Sequence, residues 1–113
     1  MILRPPWYCG RIIVIGDAAH TTTPHLASGA SIAIEDSIVL AKLLQSDGSL
    51  DAILDGFMRR RYERCRMIVQ NSELLGEWEK NPGAPNDNTV GVIAASYQPN
   101  PFRGMSEMGQ KLP

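Results

Sequence analysis

RIIVIGDAAH (residues 11–20), followed by TTTPHLASGASIAIEDSIVLAKLL (residues 21–44), lays out one strand, one loop and one helix. Residues 12–15 are all β-branched, which predicts a strand over 11–15 that is buried on both faces of an α/β sheet. The run ends at Gly16, so Asp17 comes just past the carboxyl end of the strand, where open α/β sheets bind ligands. Asp17 is therefore a candidate ligand-binding residue.

Gly29, Ala30 and Ser31 are small residues that open a helix predicted over 29–46. The first N–H groups of a helix have no partner within it, and they carry a partial positive charge. Small side chains leave these groups uncovered, so an electron-rich edge of a ligand would fit there. We expect them to form a second part of the same site as Asp17.

Several short motifs in this stretch carry a family resemblance. They resemble the second FAD-binding motif of the flavoprotein aromatic hydroxylases, the single-component monooxygenases typified by para-hydroxybenzoate and salicylate hydroxylases. The motifs are Gly16-Asp17-Ala18-Ala19-His20, Pro24, Gly29-Ala30-Ser31 and Ile34-Glu35-Asp36. The resemblance covers residues 7–78 and is most specific over residues 16–36.

The resemblance implies how this stretch contacts FAD. The carboxylate of Asp17 is implied to hold the ribityl chain, and Pro24 is implied to lie beside the isoalloxazine ring. The backbone N–H groups of residues 29–31 are implied to face the pyrimidine end of the flavin. The implied cofactor-binding residues are Gly16, Asp17, Pro24, Gly29, Ala30 and Ser31.

The resemblance also implies an activity, the hydroxylation of an aromatic substrate with NAD(P)H and oxygen. The family binds the ADP half of FAD with an N-terminal Rossmann unit that carries G-x-G-x-x-G, and this chain has no such pattern. We therefore expect an α/β fragment of a Rossmann-like FAD-binding domain, its carboxyl-terminal part, which is inactive alone. The alternative is a non-enzymatic fragment that acts as an oligomerisation or interaction module through its helices.

Other chemistries fit this sequence less well. His20 and His25 have no third ligand at useful spacing and lie in a loop, so we predict no metal site. The family resemblance implies that His20 is a structural polar contact. Gly29-Ala30-Ser31-Ile32-Ala33 approaches the nucleophile elbow G-x-S-x-G, but the preceding strand does not end at Ser31. We predict no catalytic residue in this chain.

Two adjacent carboxylates, Glu35 and Asp36, occupy the first turns of the predicted helix. Adjacent helical side chains point about 100 degrees apart, so the two do not form a catalytic pair. Both suit a helix N-terminus electrostatically. The family resemblance adds that Asp36 could anchor a loop by accepting backbone N–H bonds.

Apolar residues recur at spacings of three and four after Ser49, which predicts one long amphipathic helix over 50–80. Its opposite face carries a basic run at residues 59–66, which we interpret as solvated because acidic residues lie within one turn. The helix over 29–46 is apolar around much of its circumference, which predicts enclosure by other elements. Because the chain offers it little cover, we expect homo-oligomerisation through exposed apolar helix faces. Trp7 is expected to be a core residue.

Composition excludes several classes of function. The 113 residues carry a formal charge of −1, which gives no reason to expect nucleic acid as a partner. Two cysteines are too few for a disulfide framework and favour a cytoplasmic setting, and no apolar run is long enough to cross a membrane. Residues 81–113 are rich in Pro, Gly and Asn, so little regular structure is expected there apart from a short helix or strand over 90–95.

Overall fold

The computed structural model describes residues 1–83 and 87–97. Three helices and one short hairpin make up the regular structure of these ranges. In chain order, the elements are strand β1 (Tyr8–Cys9), strand β2 (Ile12–Ile13), helix α1 (Gly29–Leu44), helix α2 (Leu50–Lys80) and helix α3 (Thr89–Ser96). Single 3-10 turns at Gly16–Ala18 and Pro24–Leu26 lie between β2 and α1. This is an α/β fragment.

The predicted strand over 11–15 is shorter than expected and is not buried on both faces. Only Ile12–Ile13 pairs, antiparallel to β1, and Ile12 is 73% exposed. Gly10, with φ +58°, turns the chain between the two strands. A strand is enclosed on both faces only when helices and neighbouring strands cover it. Among the described residues β2 has β1 as its only strand neighbour, which explains the difference.

The two long helices follow the sequence pattern closely. α1 ends at Leu44, two residues before the predicted end, where the N–H and the hydroxyl of Ser46 both donate to the carbonyl of Leu43. α2 spans the predicted range of 50–80. The hydroxyl of Ser49 accepts from the amide of Ala52 at 3.2 Å and so caps its N-terminus.

The core lies between α2 on one side and α1 with the segments that precede it on the other. One buried cluster surrounds Trp7, which is 3% exposed and packs against Phe57 and Met58. A second joins Leu26, Ile32, Ile68 and Leu75. Trp7 is therefore a core residue, as expected, and its indole N–H donates to the carbonyl of Leu3 at 3.1 Å. α2 runs beneath both clusters, so it positions the whole segment from β1 to α1.

α1 is less enclosed than its apolar sequence predicts. Ile34 is 61% exposed and Ile38 is 50% exposed, and the two lie one turn apart on one face of the helix. Nothing in residues 1–83 or 87–97 covers this face. None of the helices described is both long enough and apolar enough to cross a membrane.

α3 is regular structure within the segment predicted to have little of it. The side chain of Asn88 accepts from the amide of Gly91 at 3.3 Å and caps this eight-residue helix. The short apolar island at 90–95 therefore forms a helix, one of the two options that the sequence allows. The irregular structure expected for residues 99–113 falls outside the described residues.

Candidate functional site

The turn after β2 depends on Gly16. Its φ of +62° lies in the left-handed region that favours glycine, and a Cβ there would lie 3.3 Å from Cβ of Ala33 in α1. The carbonyl of Gly16 accepts from the amides of Ala19 and His20, each at 2.9 Å. These contacts bring the turn against α1 and leave Asp17 on the surface.

Asp17 lies beside the start of α1. Its Oδ1 atom is 4.0 Å from the position that a Cβ would take on Gly29, and Oγ1 of Thr22 is 2.7 Å from the same point. A side chain at position 29 would therefore require the Thr22 hydroxyl to move, whereas the Asp17 carboxylate lies at an ordinary van der Waals distance. The Asp17 carboxylate is exposed, and no donor among the described residues binds it. It is therefore free to accept hydrogen bonds from a ligand.

The first amides of α1 complete the opening. The N–H groups of Gly29, Ala30 and Ser31 have no acceptor among residues 1–83 and 87–97, and Ser28 does not cap them. Ala30 and Ser31 are exposed, whereas the hydroxyl of Ser28 is buried and has no hydrogen-bond partner in the described part of the chain. The N–H groups at the start of α1 and the nearby Asp17 carboxylate are thus both available to hydrogen-bond a ligand. A ligand with both hydroxyl donors and an electron-rich edge fits this arrangement.

Pro24 lies on a separate turn that α2 holds in place. Oγ1 of Thr23 donates to the carbonyl of Ser72 at 2.8 Å, and the amide of Thr23 donates to the hydroxyl of Ser72 at 3.3 Å. Pro24 itself is exposed. Ala27, with φ +48°, then redirects the chain into α1. The structure thus brings Asp17 and Gly29 together directly, and it places Pro24 on the loop between them.

His25 fastens the same turn to the end of α2. Its Nε2 atom is 2.6 Å from the carboxylate of Glu79, and its ring packs on Gly76, where an added Cβ would lie 2.9 Å from Cε1. Sequence reasoning gave His25 no role and did not single out Gly76. A glycine inside an otherwise regular helical pattern is a signal of close approach that could have found this contact.

A groove of about 520 Å³ lies beyond His25, between α2 and α3. Leu75, Trp78 and Ile93 give it an apolar lining, and Glu79 stands at its edge. None of Asp17, Gly29, Ala30 and Ser31 lines this groove. The groove and the opening beside Asp17 are therefore separate features.

Asp36 is the buried anchor beneath the Gly16 turn. Its Oδ2 accepts from the amide of Gly16 at 3.1 Å and lies 2.5 Å from Nε2 of His20, and its Oδ1 accepts from Nε of Arg61 at 2.7 Å. Burial alone would raise the pKa of Asp36, but the hydrogen bonds from His20, Arg61 and Gly16 outweigh it and lower the pKa. The backbone contact implied for Asp36 and the structural role expected for His20 both agree with this geometry.

Arg61 is the main correction to the sequence analysis, which placed it on a solvated face. It is 1% exposed, and its guanidinium also donates to Glu35 at 2.8 Å and to the carbonyl of Ile32 at 3.2 Å. The signal was present, since Arg61 lies midway between Phe57 and Cys65 on the buried stripe. The helical periodicity could have predicted that Arg61 is buried, but it could not have predicted that Asp36 is its partner.

Cys65 also lies in the cluster beneath the turn. Cys65, His20 and Asp36 each offer one possible metal ligand atom, and these three atoms lie within 4.8 Å of one another. The separation of 2.5 Å between His20 and Asp36 leaves no space for an ion between them, and the Arg61 guanidinium already supplies the positive charge. Burial raises the pKa of Cys65 to about 12, so the thiol stays protonated. The geometry is that of a hydrogen-bonded anchor.

Comparison with known proteins gives one family. The model of the family described as FAD binding domain matches residues 3–72. A putative FAD-dependent monooxygenase, YetM, from Bacillus subtilis (strain 168) is 45% identical over 85 residues, which cover 73% of this chain and 23% of the relative. Aurachin C monooxygenase/isomerase from Stigmatella aurantiaca is 38% identical over 76 residues, or 65% of this chain and 20% of the relative.

A fungal protein shows the same relationship. FAD-dependent monooxygenase janM from Penicillium janthinellum is 34% identical over 91 residues, which cover 71% of this chain and 19% of the relative. The chain thus spans about one fifth of the length of the curated relatives it matches. No solved structure matches it.

Proposed function

Because the chain belongs to the FAD-dependent monooxygenase family, whose cofactor is FAD, we propose that residues 16–31 hold the flavin half of that cofactor. The opening between Asp17 and the start of α1 carries the proposal. There the Asp17 carboxylate, which has no donor among residues 1–83 and 87–97, stands beside three amides that have no acceptor among the same residues. A flavin with its ribityl chain offers the complementary groups, hydroxyl donors and an electron-rich ring edge.

Each residue of the opening has a distinct task in this proposal. Asp17 accepts a hydrogen bond from a ribityl hydroxyl, and Gly16 gives the turn the conformation that presents it. Pro24 lies beside the isoalloxazine ring. The amides of Gly29, Ala30 and Ser31 face the pyrimidine edge, where negative charge collects in a reduced flavin. A helix N-terminus stabilises such charge by roughly 0.3–1 kcal/mol when exposed and about 2 kcal/mol when partly buried.

A complete enzyme that included this segment would be a monooxygenase that hydroxylates an aromatic substrate with NAD(P)H and oxygen. FAD supplies the redox chemistry when bound, and the protein supplies orientation and electrostatics. Within this chain Asp17 and the α1 amides orient the flavin, while Asp36 and Arg61 hold the turn from beneath. Without a dinucleotide-binding unit for the ADP half, the 113-residue chain alone has no hydroxylase activity.

Ligand selectivity tests this proposal. Because the opening would hold only the flavin half of the cofactor, FMN and FAD should bind the purified chain with dissociation constants within a few-fold of one another, and ADP should not bind. Flavin fluorescence and isothermal calorimetry measure these affinities. Binding of ADP, or of neither flavin, would contradict the proposed site.

A variant then tests Asp17 itself. Loss of a hydrogen bond to a charged group costs about 1.5–3 kcal/mol, so the dissociation constant of Asp17→Ala should be roughly 10- to 150-fold larger. Asp47→Ala is the matched control, because Asp47 is also exposed but lies beyond the far end of α1. Equal flavin affinity in both variants would remove Asp17 from the site.

A second candidate function rests on the exposed face of α1. Ile34 and Ile38 form an apolar strip that the described residues leave uncovered, and such a face suits self-association or docking to another chain. In this alternative the chain is a non-enzymatic interaction module. Sedimentation of the chain and of Ile38→Lys tests it, since a monomer in both cases argues against association through this face.

A further inference from the structure

α3 lies beyond the residues that match the family, and it is fixed to α2 at one end. Nη1 of Arg64 donates to the carbonyl of Ser96 at 2.9 Å, and Nδ2 of Asn71 donates to the hydroxyl of Ser96, also at 2.9 Å. Ser96 is buried, and its hydroxyl donates in turn to the carbonyl of Val92. A cation at a helix C-terminus is electrostatically favourable. The carboxyl end of α3 is thus the anchored end.

This anchor delivers Tyr97 to the loop that carries Pro24. The hydroxyl of Tyr97 donates to the carbonyl of Leu26 at 2.6 Å. Val92 of α3 packs against the buried cluster that contains the Leu26 side chain. The segment of α3 and Tyr97 therefore reaches this turn through the Leu26 carbonyl, and it also packs against the cluster to which the Leu26 side chain belongs.

The Leu26 carbonyl belongs to the peptide unit whose orientation sets how the loop enters α1. The next residue, Ala27, has φ +48°, a conformation disfavoured for alanine, and the first free amide of α1 follows two residues later. Thr23 and Ser72 tether the other end of the turn. A hydrogen bond to the Leu26 carbonyl fixes the peptide plane that leads into Ala27, so it restrains the orientation of the turn relative to the α1 amides.

We propose that α3 and Tyr97 form a clasp that holds the Pro24–Leu26 turn against the start of α1, which makes Tyr97 a positioning residue for the flavin. The effect on flavin rests on the function proposed above, whereas the restraint on the turn does not. Among the described residues, the hydrogen bond of the Tyr97 hydroxyl goes to the Leu26 carbonyl, so the proposed effect of Tyr97 on the flavin passes through that carbonyl. The clasp lies outside the span matched by the family model, so it sets the loop by means of residues that this match does not include.

Tyr97→Phe in the full chain tests the restraint, with Tyr8→Phe as the matched control, because the described residues offer the Tyr8 hydroxyl no hydrogen bond. Tyr97 is 60% exposed, so its variant is expected to fold. Loss of one neutral hydrogen bond should speed hydrogen exchange of the Ala27 amide by about 2- to 10-fold. Because the same bond is lost from the folded state, the melting temperature of Tyr97→Phe should fall by only a few degrees relative to the control. Unchanged exchange at Ala27 would overturn the clasp.

FAD is the probe for the positioning role. Tyr97→Phe should weaken FAD binding by about 2- to 10-fold and shift the visible flavin bands, whereas Tyr8→Phe should do neither. Faster exchange with unaltered FAD affinity and spectrum would overturn the positioning role of Tyr97. If the unmodified chain binds no flavin, the function proposed above fails, and the exchange rates alone decide whether the clasp exists.

Discussion

Replacement of Arg61 by methionine should be among the most damaging single changes in this chain. The substitution keeps a long side chain in the core but leaves the buried carboxylate of Asp36 without its cationic partner. Breaking a buried ion pair from one side costs about 3–5 kcal/mol. Asp36 keeps donors from His20 and Gly16, and Glu35 is partly exposed, so the lower end of that range applies. We expect a loss of about 3 kcal/mol of unfolding free energy at pH 7.

Urea unfolding followed by circular dichroism measures this loss. Arg60→Met is the matched control, because the neighbouring arginine is exposed and should change stability by less than about 0.5 kcal/mol. Adding Asp36→Asn to Arg61→Met should restore part of the loss, since a neutral side chain no longer needs the cation. A coupling free energy of about 1 kcal/mol or more between the two positions is expected. A loss below about 1 kcal/mol in Arg61→Met would refute the reasoning.

The interaction between Asp36 and Arg61 also predicts how the free energy of unfolding changes with pH. The pKa of Asp36 is lowered in the folded chain from an ordinary value of 3.8, so its ionised form stabilises the fold above that pH. This stability is lost as the pH falls through the folded pKa. The difference between the unmodified chain and Arg61→Met should therefore be largest near neutrality and shrink in acid. A difference that grows below pH 4 would contradict the assignment.

Two further predictions concern the contact between Gly76 and His25 and the reactivity of the two cysteines. Gly76→Ala should destabilise the chain, because the new Cβ would lie 2.9 Å from the His25 ring, although alanine is the better helix former by about 1 kcal/mol. In a His25→Ala background the same substitution should stabilise the chain. Urea unfolding measures both changes, and stabilisation in both backgrounds would rule out the contact. Cys9 is exposed, whereas Cys65 is buried and its pKa is raised to about 12. A thiol reagent at pH 8 should therefore label one cysteine in the folded chain and two cysteines in urea. Mass spectrometry counts the labels, and two labels on the folded chain would contradict the buried position of Cys65.

The helices could be predicted well because their signals are local. Apolar residues at spacings of three and four and a serine cap define α2, and the approach of Asp17 to Gly29 follows from a short loop between two elements. The length and burial of β2 could not be predicted in the same way. They depend on which strands and helices lie beside it, and a run of β-branched residues contains no information about how many neighbours are present.

The anchor beneath the turn was only partly visible in the sequence. Asp36 was expected to hold a loop, yet its partner Arg61 was interpreted as part of a solvated face because acidic residues lie within one turn of the basic run. The partner lies 25 residues away on another helix, and such a distant pair leaves no periodic signal. The contact between Tyr97 and Leu26 is more distant still, at 71 residues.

The local conformations and the candidate ligand groups can be deduced from the amino-acid sequence alone, because capping, glycine turns and hydrophobic periodicity act over a few residues. The folded arrangement is needed to know which charges are buried, which loop carbonyl accepts a hydrogen bond, and which apolar face stays uncovered. Those outcomes depend on long-range packing, which lowers the cost of burying a charge only where a partner happens to lie within a few ångströms.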